Sequence, residues 1–226
     1  MAMLREVGDR SSPIWLLGDS DPKNWRDSLD VPFDGRHPAR HNIWTPVIDI
    51  VQREVFVALG KRIDSDYFYI RNAVSDPNLK PSDPLTPVSD WPADARTALD
   101  EYRQLVVQFR PIIIFSFGWF GYVFGLRATN PDARIQVDST ESHTAHLGKE
   151  FFREVQSFDA SRVNLLPLLH ATIARNHFLS AHRDFCDSDG ANYFEKVGRS
   201  IAGILVQHHT IFHCWLGGPN DKDRMA

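Results

Sequence analysis

The sequence predicts an α/β fold: a three-layer α/β/α sandwich around a four-stranded parallel sheet, in one domain spanning residues 1–226. Three observations carry that expectation. Four short apolar runs, Ile14 to Leu17, Tyr67 to Ile70, Ile112 to Phe117 and Val163 to Leu169, are too short for helices and each gives way to turn residues. They lack in/out alternation, as strands covered on both faces do. Helical patterns lie between them, which suits parallel strands joined by crossovers.

The first helix is expected at Pro46, capped by Thr45, because proline loses nothing by lacking an N–H in the first turn. Val47, Ile48, Val51, Val55 and Leu59 then form one apolar stripe, and Gly60 ends it. Between the second strand and its helix runs a proline-rich stretch from Asp76 to Pro87, whose composition and length suit a functional or disordered loop. A second helix runs from about Ala93 to Arg110 on a stripe of Ala95, Ala98, Leu99, Tyr102, Leu105, Val106 and Phe109, with Pro111 stopping it. A short third helix follows Gly118, with Trp119 and Phe120 read as core. The polar segment 127–161 reads as loop with one or two short helices. A long last helix is expected from about Asp189, with apolar positions continuing to Trp215.

Composition bounds the function. With 226 residues, 42% of them hydrophobic, the chain can bury roughly 70% of its unfolded surface without a metal or disulfide staple. Cys186 and Cys214 form no C-x-x-C pair, so four-thiolate zinc or iron–sulfur sites are excluded and a reducing cytoplasm is the simplest compartment. No apolar stretch reaches the about 18 residues of a membrane span, and the N-terminus carries no signal-peptide run. A net charge of -4 argues against binding nucleic acid through bulk positive charge but leaves room for a local basic rim.

In open parallel sheets ligands bind beyond the carboxyl ends of the strands. Those ends carry Gly18-Asp19-Ser20-Asp21-Pro22, Arg71-Asn72, Ser116-Phe117-Gly118-Trp119 and His170 followed by Ala171 to Asn176. Carboxylates, an amide and an imidazole are brought to one edge without a glycine-rich phosphate loop, which argues against nucleotide-binding P-loop or Rossmann sites.

The order Gly-Asp-Ser-Asp-Pro, Pro32-Phe33, Phe68-Tyr69-Ile70-Arg71-Asn72, Arg110-Pro111-Ile112 through Gly118, and Leu166-Pro167-Leu168-Leu169-His170 resembles the uracil-DNA glycosylase superfamily over about residues 13–178. The resemblance implies that an acid after the first strand positions the attacking water, and both Asp19 and Asp21 are candidates, with Ser20 and Lys23 beside them. It implies that Phe33 stacks on the extruded base, that Asn72 reads its pairing edge and that His170 faces the departing base. Arg175, Asn176 and His177, followed by His182 and Arg183, fall in the loop that would meet DNA. The sequence departs from the family where His170-Ala171-Thr172 replaces His-Pro-Ser or His-Pro-Ala, and where Ser75-Asp76 stands at the position of an iron–sulfur cysteine. No metal or organic cofactor is therefore expected, and the expected state is a DNA-binding monomer away from membranes.

If Asp21-Pro22 matches the family's Asp-Pro-Tyr, Lys23 replaces the tyrosine that screens the pyrimidine 5-position. Two substrate classes then stay open: uracil, and 5-modified cytosines of phage genomes, the latter implying an antiviral role. The competing readings are a catalytically silent base- or nucleotide-binding module of the same fold and a metal-dependent hydrolase built on the Asp and His residues. Histidine pairs at His37/His41 and His209/His213 are weaker candidates, because Pro38 would interrupt a helix between the first two and the second pair lacks carboxylate partners.

Overall fold

The computed structural model describes residues 6–20, 38–133, 135–170 and 178–216. Its centre is a mostly parallel five-stranded sheet. Strands β1 (Glu6–Val7), β2 (Ile14–Ser20), β4 (Tyr69–Val74), β5 (Ile113–Phe117) and β6 (Asn164–Leu168) lie in the order β1-β4-β2-β5-β6. Three of the expected runs fall in its parallel core, but the run Tyr67–Ile70 meets β4 only at Tyr69 and Ile70. Tyr67 ends a 3₁₀ turn over Ser65–Tyr67, and the strand runs on through Arg71 and Asn72, which were expected beyond its end. The registers pair Leu16 with Ile70 and Phe115, and Phe115 with Leu166. The expectation of four strands is corrected by β1, an antiparallel edge pairing Glu6 with Arg71 and Val7 with Ile70. Two residues carry no readable period, and the pairing is fixed from outside the strand: Tyr69 donates its hydroxyl to Glu6 at 2.5 Å. A separate pair joins β3 (Arg62–Ile63) to β7 (Trp215–Leu216).

Six α-helices among the described residues cover both faces: α1 (Pro38–Leu59), α2 (Ala93–Phe109), α3 (Gly118–Thr129), α4 (His143–Gln156), α5 (Phe178–Cys186) and α6 (Tyr193–Gln207). Alternation along the strands sorts them. Trp15 packs on Tyr102 of α2, and Leu17 and Leu165 meet Gly125 of α3, so α2 and α3 lie on that face. Trp44 of α1 packs on Phe68, Phe115 and Phe117 on the opposite face, where α6 lies against α1. The closeness of that pair depends on Gly198, where a Cβ would stand 2.7 Å from Ile50.

Several boundaries differ from expectation for identifiable reasons. Helix α1 begins at Pro38, which opens the helix instead of interrupting it, and Pro46 lies inside. An internal proline costs about 3 kcal/mol, and the aromatic cluster around buried Trp44 holds the turn beside it. Helix α2 ends one residue earlier than expected, at a left-handed Arg110 (φ 48°) ahead of Pro111. Helix α6 stops at Gln207, because the chain beyond it is tied elsewhere: Asp64 donates its N–H to Cys214 O at 2.7 Å, and Trp215 donates Nε1–H to His209 O at 2.9 Å. In the segment read as loop with one or two short helices, the helix is the 14-residue α4, capped by the Ser142 side chain.

Helices α4 and α5 close the β6 edge through the absence of a side chain at Gly148, where a Cβ would sit 1.9 Å from Phe185 O. The obstruction is backbone, so it cannot rotate away. Gly148→Ala is expected to destabilise the fold by about 1–3 kcal/mol, the usual range for overpacking, measured as a lowered urea midpoint at constant slope; an unchanged midpoint would contradict this helix contact.

Candidate functional site

The sheet order creates the site. The chain leaving β2 crosses to β4 on one side, and the chain leaving β5 proceeds to β6 on the other, so a crevice opens between the carboxyl ends of β2 and β5. A cavity of about 290 Å³ lies there, lined by Asp19, Lys80, Pro81, Pro84, Gly118, Trp119, Phe120 and His170. Each part comes from a different strand end: Asp19 from β2, the proline-rich segment from β4, the first turn of α3 from β5, and His170 from β6.

Local chemistry explains each placement. Gly118 starts α3 directly after β5 with φ +76°, a left-handed conformation that a residue with Cβ enters at a cost. A Cβ there would also meet His170 Cβ at 2.8 Å, so the missing side chain lets the imidazole pack against the helix start. Lys80 is set by the turn before it. Asp76 accepts the Asn78 N–H at 2.7 Å, a 3₁₀ turn follows over Pro77–Leu79, and Lys80 closes it in extended backbone (φ −69°, ψ 142°), the conformation a following proline favours.

The Lys80 ammonium lies 3.1 Å from Asp19 Oδ1 and 3.2 Å from Oδ2, so both carboxylate oxygens face it. His170 is held below its ordinary pKa by burial, partly opposed by Asp19 and reinforced by Lys80. The imidazole is therefore neutral near pH 7 and can offer one N–H donor and one acceptor. Trp119 rounds off the wall, its indole stacked on the His143 ring at 4.3 Å between centroids. Its Nε1 has no hydrogen-bond partner among the described residues.

Of the residues expected at the site, Asp19 and His170 share this cavity. Asn72 and Ser20 do not line it. Gly18 pairs with Asn72 across the sheet, and side chains alternate along a strand, so Asn72 and Ser20 project to the Leu16 face and Asp19 to the other. Asn72 is buried and Ser20 half-buried. Asp21, Lys23, Phe33, Arg175, Asn176 and His177 lie outside the described residues.

A further expectation is corrected. His182 and Arg183 stand on α5 and not in a loop: His182 is buried with its ring against Tyr193 and Phe194, and Arg183 pairs with Asp184. Trp119 and Phe120, read as core, do pack there, Phe120 as a buried member and Trp119 half-buried against it, and both also line the cavity. Lys80 was not singled out by the sequence. Its signal lay in the proline-rich stretch itself, a loop of functional length whose lysine is followed by proline.

Among the described residues no group of three or more His, Cys, Asp or Glu side chains is arranged to hold a metal ion, and no helix is long and apolar enough to cross a membrane. Compared with known proteins, the sequence matches no protein-family model and no curated relative.

The electrostatics can be checked without a substrate. In the free protein the His170 imidazole should titrate below the roughly 6.5 of an unperturbed histidine, moving up in Lys80→Gln and down in Asp19→Asn. Nuclear magnetic resonance of the ring protons reads this directly; a midpoint that moves in neither variant would contradict the three-residue arrangement.

Proposed function

We propose that the protein is a monofunctional DNA glycosylase of the uracil-DNA glycosylase type, with that superfamily's α/β/α sandwich, removing a flipped-out pyrimidine and leaving an abasic site. The observation that carries the reading is the pairing of Asp19 with His170 in one cavity at the crevice between strand ends, in the chain order of the motifs that resemble that superfamily.

The chemistry follows from the two groups. As the C1′–N bond breaks, its electron pair goes to the base, positive charge develops on the sugar, and a water oxygen bonds to C1′ while passing its proton to the Asp19 carboxylate, the released base anion taking up a proton from solvent. A carboxylate at Asp19 stabilises the sugar cation and orients that water, work typically worth 10²- to 10⁴-fold. A neutral His170 donates a hydrogen bond to the base oxygen that takes up the negative charge, electrostatic help worth about 10²- to 10³-fold where single donors have been removed. Burial of the imidazole favours this form, since an imidazolium in the same place would be poorly solvated. The base must leave the stack to reach such a cavity, and contacts within the pocket offset that cost. No metal or organic cofactor enters these steps.

Two substrate classes fit: uracil, and a 5-modified cytosine of phage type if Lys23 takes the screening tyrosine's place, which would make the enzyme antiviral. A second reading, a silent base-binding module, is favoured by the ion pair that occupies Asp19 in the free protein.

An abasic-site assay on duplexes with uracil, unmodified cytosine and enlarged 5-substituted cytosines, with and without chelator, separates the readings. We expect base release from the uracil duplex or from an enlarged 5-substituted cytosine duplex and none from unmodified cytosine, unaffected by EDTA, and a rate about a hundredfold or more lower in Asp19→Asn with DNA binding retained. DNA binding without base release from any duplex would establish the silent module. Activity lost to EDTA and restored by metal would establish a metal-dependent hydrolase. If Asp19→Asn cleaves at the wild-type rate while Asp21→Asn does not, the water-positioning acid is Asp21.

A further inference from the structure

We propose that Lys80 is a phosphate-engaging positioning residue: its ammonium holds Asp19 in the free protein and is handed to a backbone phosphate of the incoming nucleotide, releasing the carboxylate to hold water. This rests on the glycosylase reading and adds to it the element of the strand that the cavity recognises.

Three observations lead there. The first is geometry: the ammonium lies close to both oxygens of Asp19 but hydrogen-bonds only Oδ2, leaving buried Oδ1 without a hydrogen-bond partner among the described residues, so in the free protein the carboxylate is neutralised and half engaged, a resting arrangement. The second is exposure. The Lys80 side chain is 29% exposed and that of Asp19 16%, so the pair is partly solvated on the lysine side and can be approached by an anion from the cavity mouth. Because the ammonium keeps this access to the mouth, an arriving anion can take the carboxylate's place beside it without either charge being left unpaired in the interior. The third is rigidity. Asp76 braces the turn before Lys80, Pro81 and Pro84 line the cavity after it, and Asp83 accepts the Leu85 N–H at 2.9 Å, so the chain presents the amine from a fixed strap. The amine also stands 6.0 Å from the centre of the Phe120 ring, at the outer reach of cation–π attraction, a second contact that does not depend on Asp19.

A phosphodiester suits the exchange because it carries a charge like that of the carboxylate and arrives with the substrate. The carboxylate loses its neutralising partner only when a sugar stands beside it. At that moment its negative charge opposes the oxocarbenium charge and is no longer spent on lysine.

The test compares wild-type protein, Lys80→Gln and Lys80→Arg for DNA affinity across a salt series and for single-turnover base release. Losing one phosphate contact should flatten the plot of log affinity against log salt by about 0.7–0.9 in Lys80→Gln. Base release in the same variant should fall about tenfold or more at saturating DNA, and Lys80→Arg should restore the slope and most of the rate. A general defect in folding would not change the salt slope of the DNA that is bound. An unchanged slope in Lys80→Gln overturns the proposal and leaves the glycosylase reading standing. Faster base release in Lys80→Gln would also overturn it, since Lys80 would then only inhibit. A wild-type protein that neither binds nor cleaves any of the duplexes overturns both.

Discussion

Strand β2 lies between β4 and β5, so the connections that leave β2 and β5 diverge to opposite sides and cannot cover the carboxyl ends of either strand. That constraint creates the crevice, and everything placed at it arrives by the same logic. Asp19 stands at the end of β2, His170 follows β6, and the loop after β4 returns over the top with Lys80. The sheet is rigid because its core strands are buried on both faces, with Ile14, Trp15, Leu17, Ile113 and Ile114 fully enclosed. A packed interior of this kind fixes the spacing of groups at its edge far better than a loop could.

Three ionisable groups share that edge, and their balance matters more than any one of them. Burial disfavours the charged imidazole, the carboxylate favours it and the ammonium opposes it, with burial the largest influence. The outcome is a neutral donor beside a carboxylate whose charge is matched by lysine. On the proposed glycosylase reading, the imidazole would serve the departing base, and the carboxylate would serve the sugar cation once lysine has left it. The glycine at position 118 is part of the same design: a side chain there would push His170 off the helix start.

The fold was largely legible because its strands are apolar runs bounded by turns, and fully buried strands cannot be mistaken for solvated loops. Their order in the sheet was not, since nothing in a strand's own residues says which neighbour a crossover will reach. Strands β1, β3 and β7 are two residues each, too short for a period of two to register. The position and length of α4 were not legible, because only one narrow stripe, with His146, Leu147, Gly148 and Phe151, is buried in a segment otherwise polar. At the site, Asp19 and His170 could be found from their positions after strands. For Lys80 only the proline-rich loop around it gave a signal, because its partner is 61 residues away and a lysine in a loop looks like any solvated lysine. The separation of Asn72 from Asp19 followed from register, which only the pairing of Gly18 with Asn72 reveals.

On the proposed function substrate would enter at the carboxyl end of the sheet, although a larger groove of about 690 Å³, lined in part by Arg110, Arg153 and Arg162, lies near the opposite end of β5 and β6. The most direct measurement is a backbone and side-chain chemical-shift titration with an oligonucleotide whose target deoxyribose carries a 2′-fluorine, which resists loss of the base by disfavouring the sugar cation. The account requires the largest shifts at Asp19, Lys80, Gly118, Trp119 and His170. Shifts confined to the residues around Arg110, Arg153 and Arg162, with His170 unmoved, would contradict it.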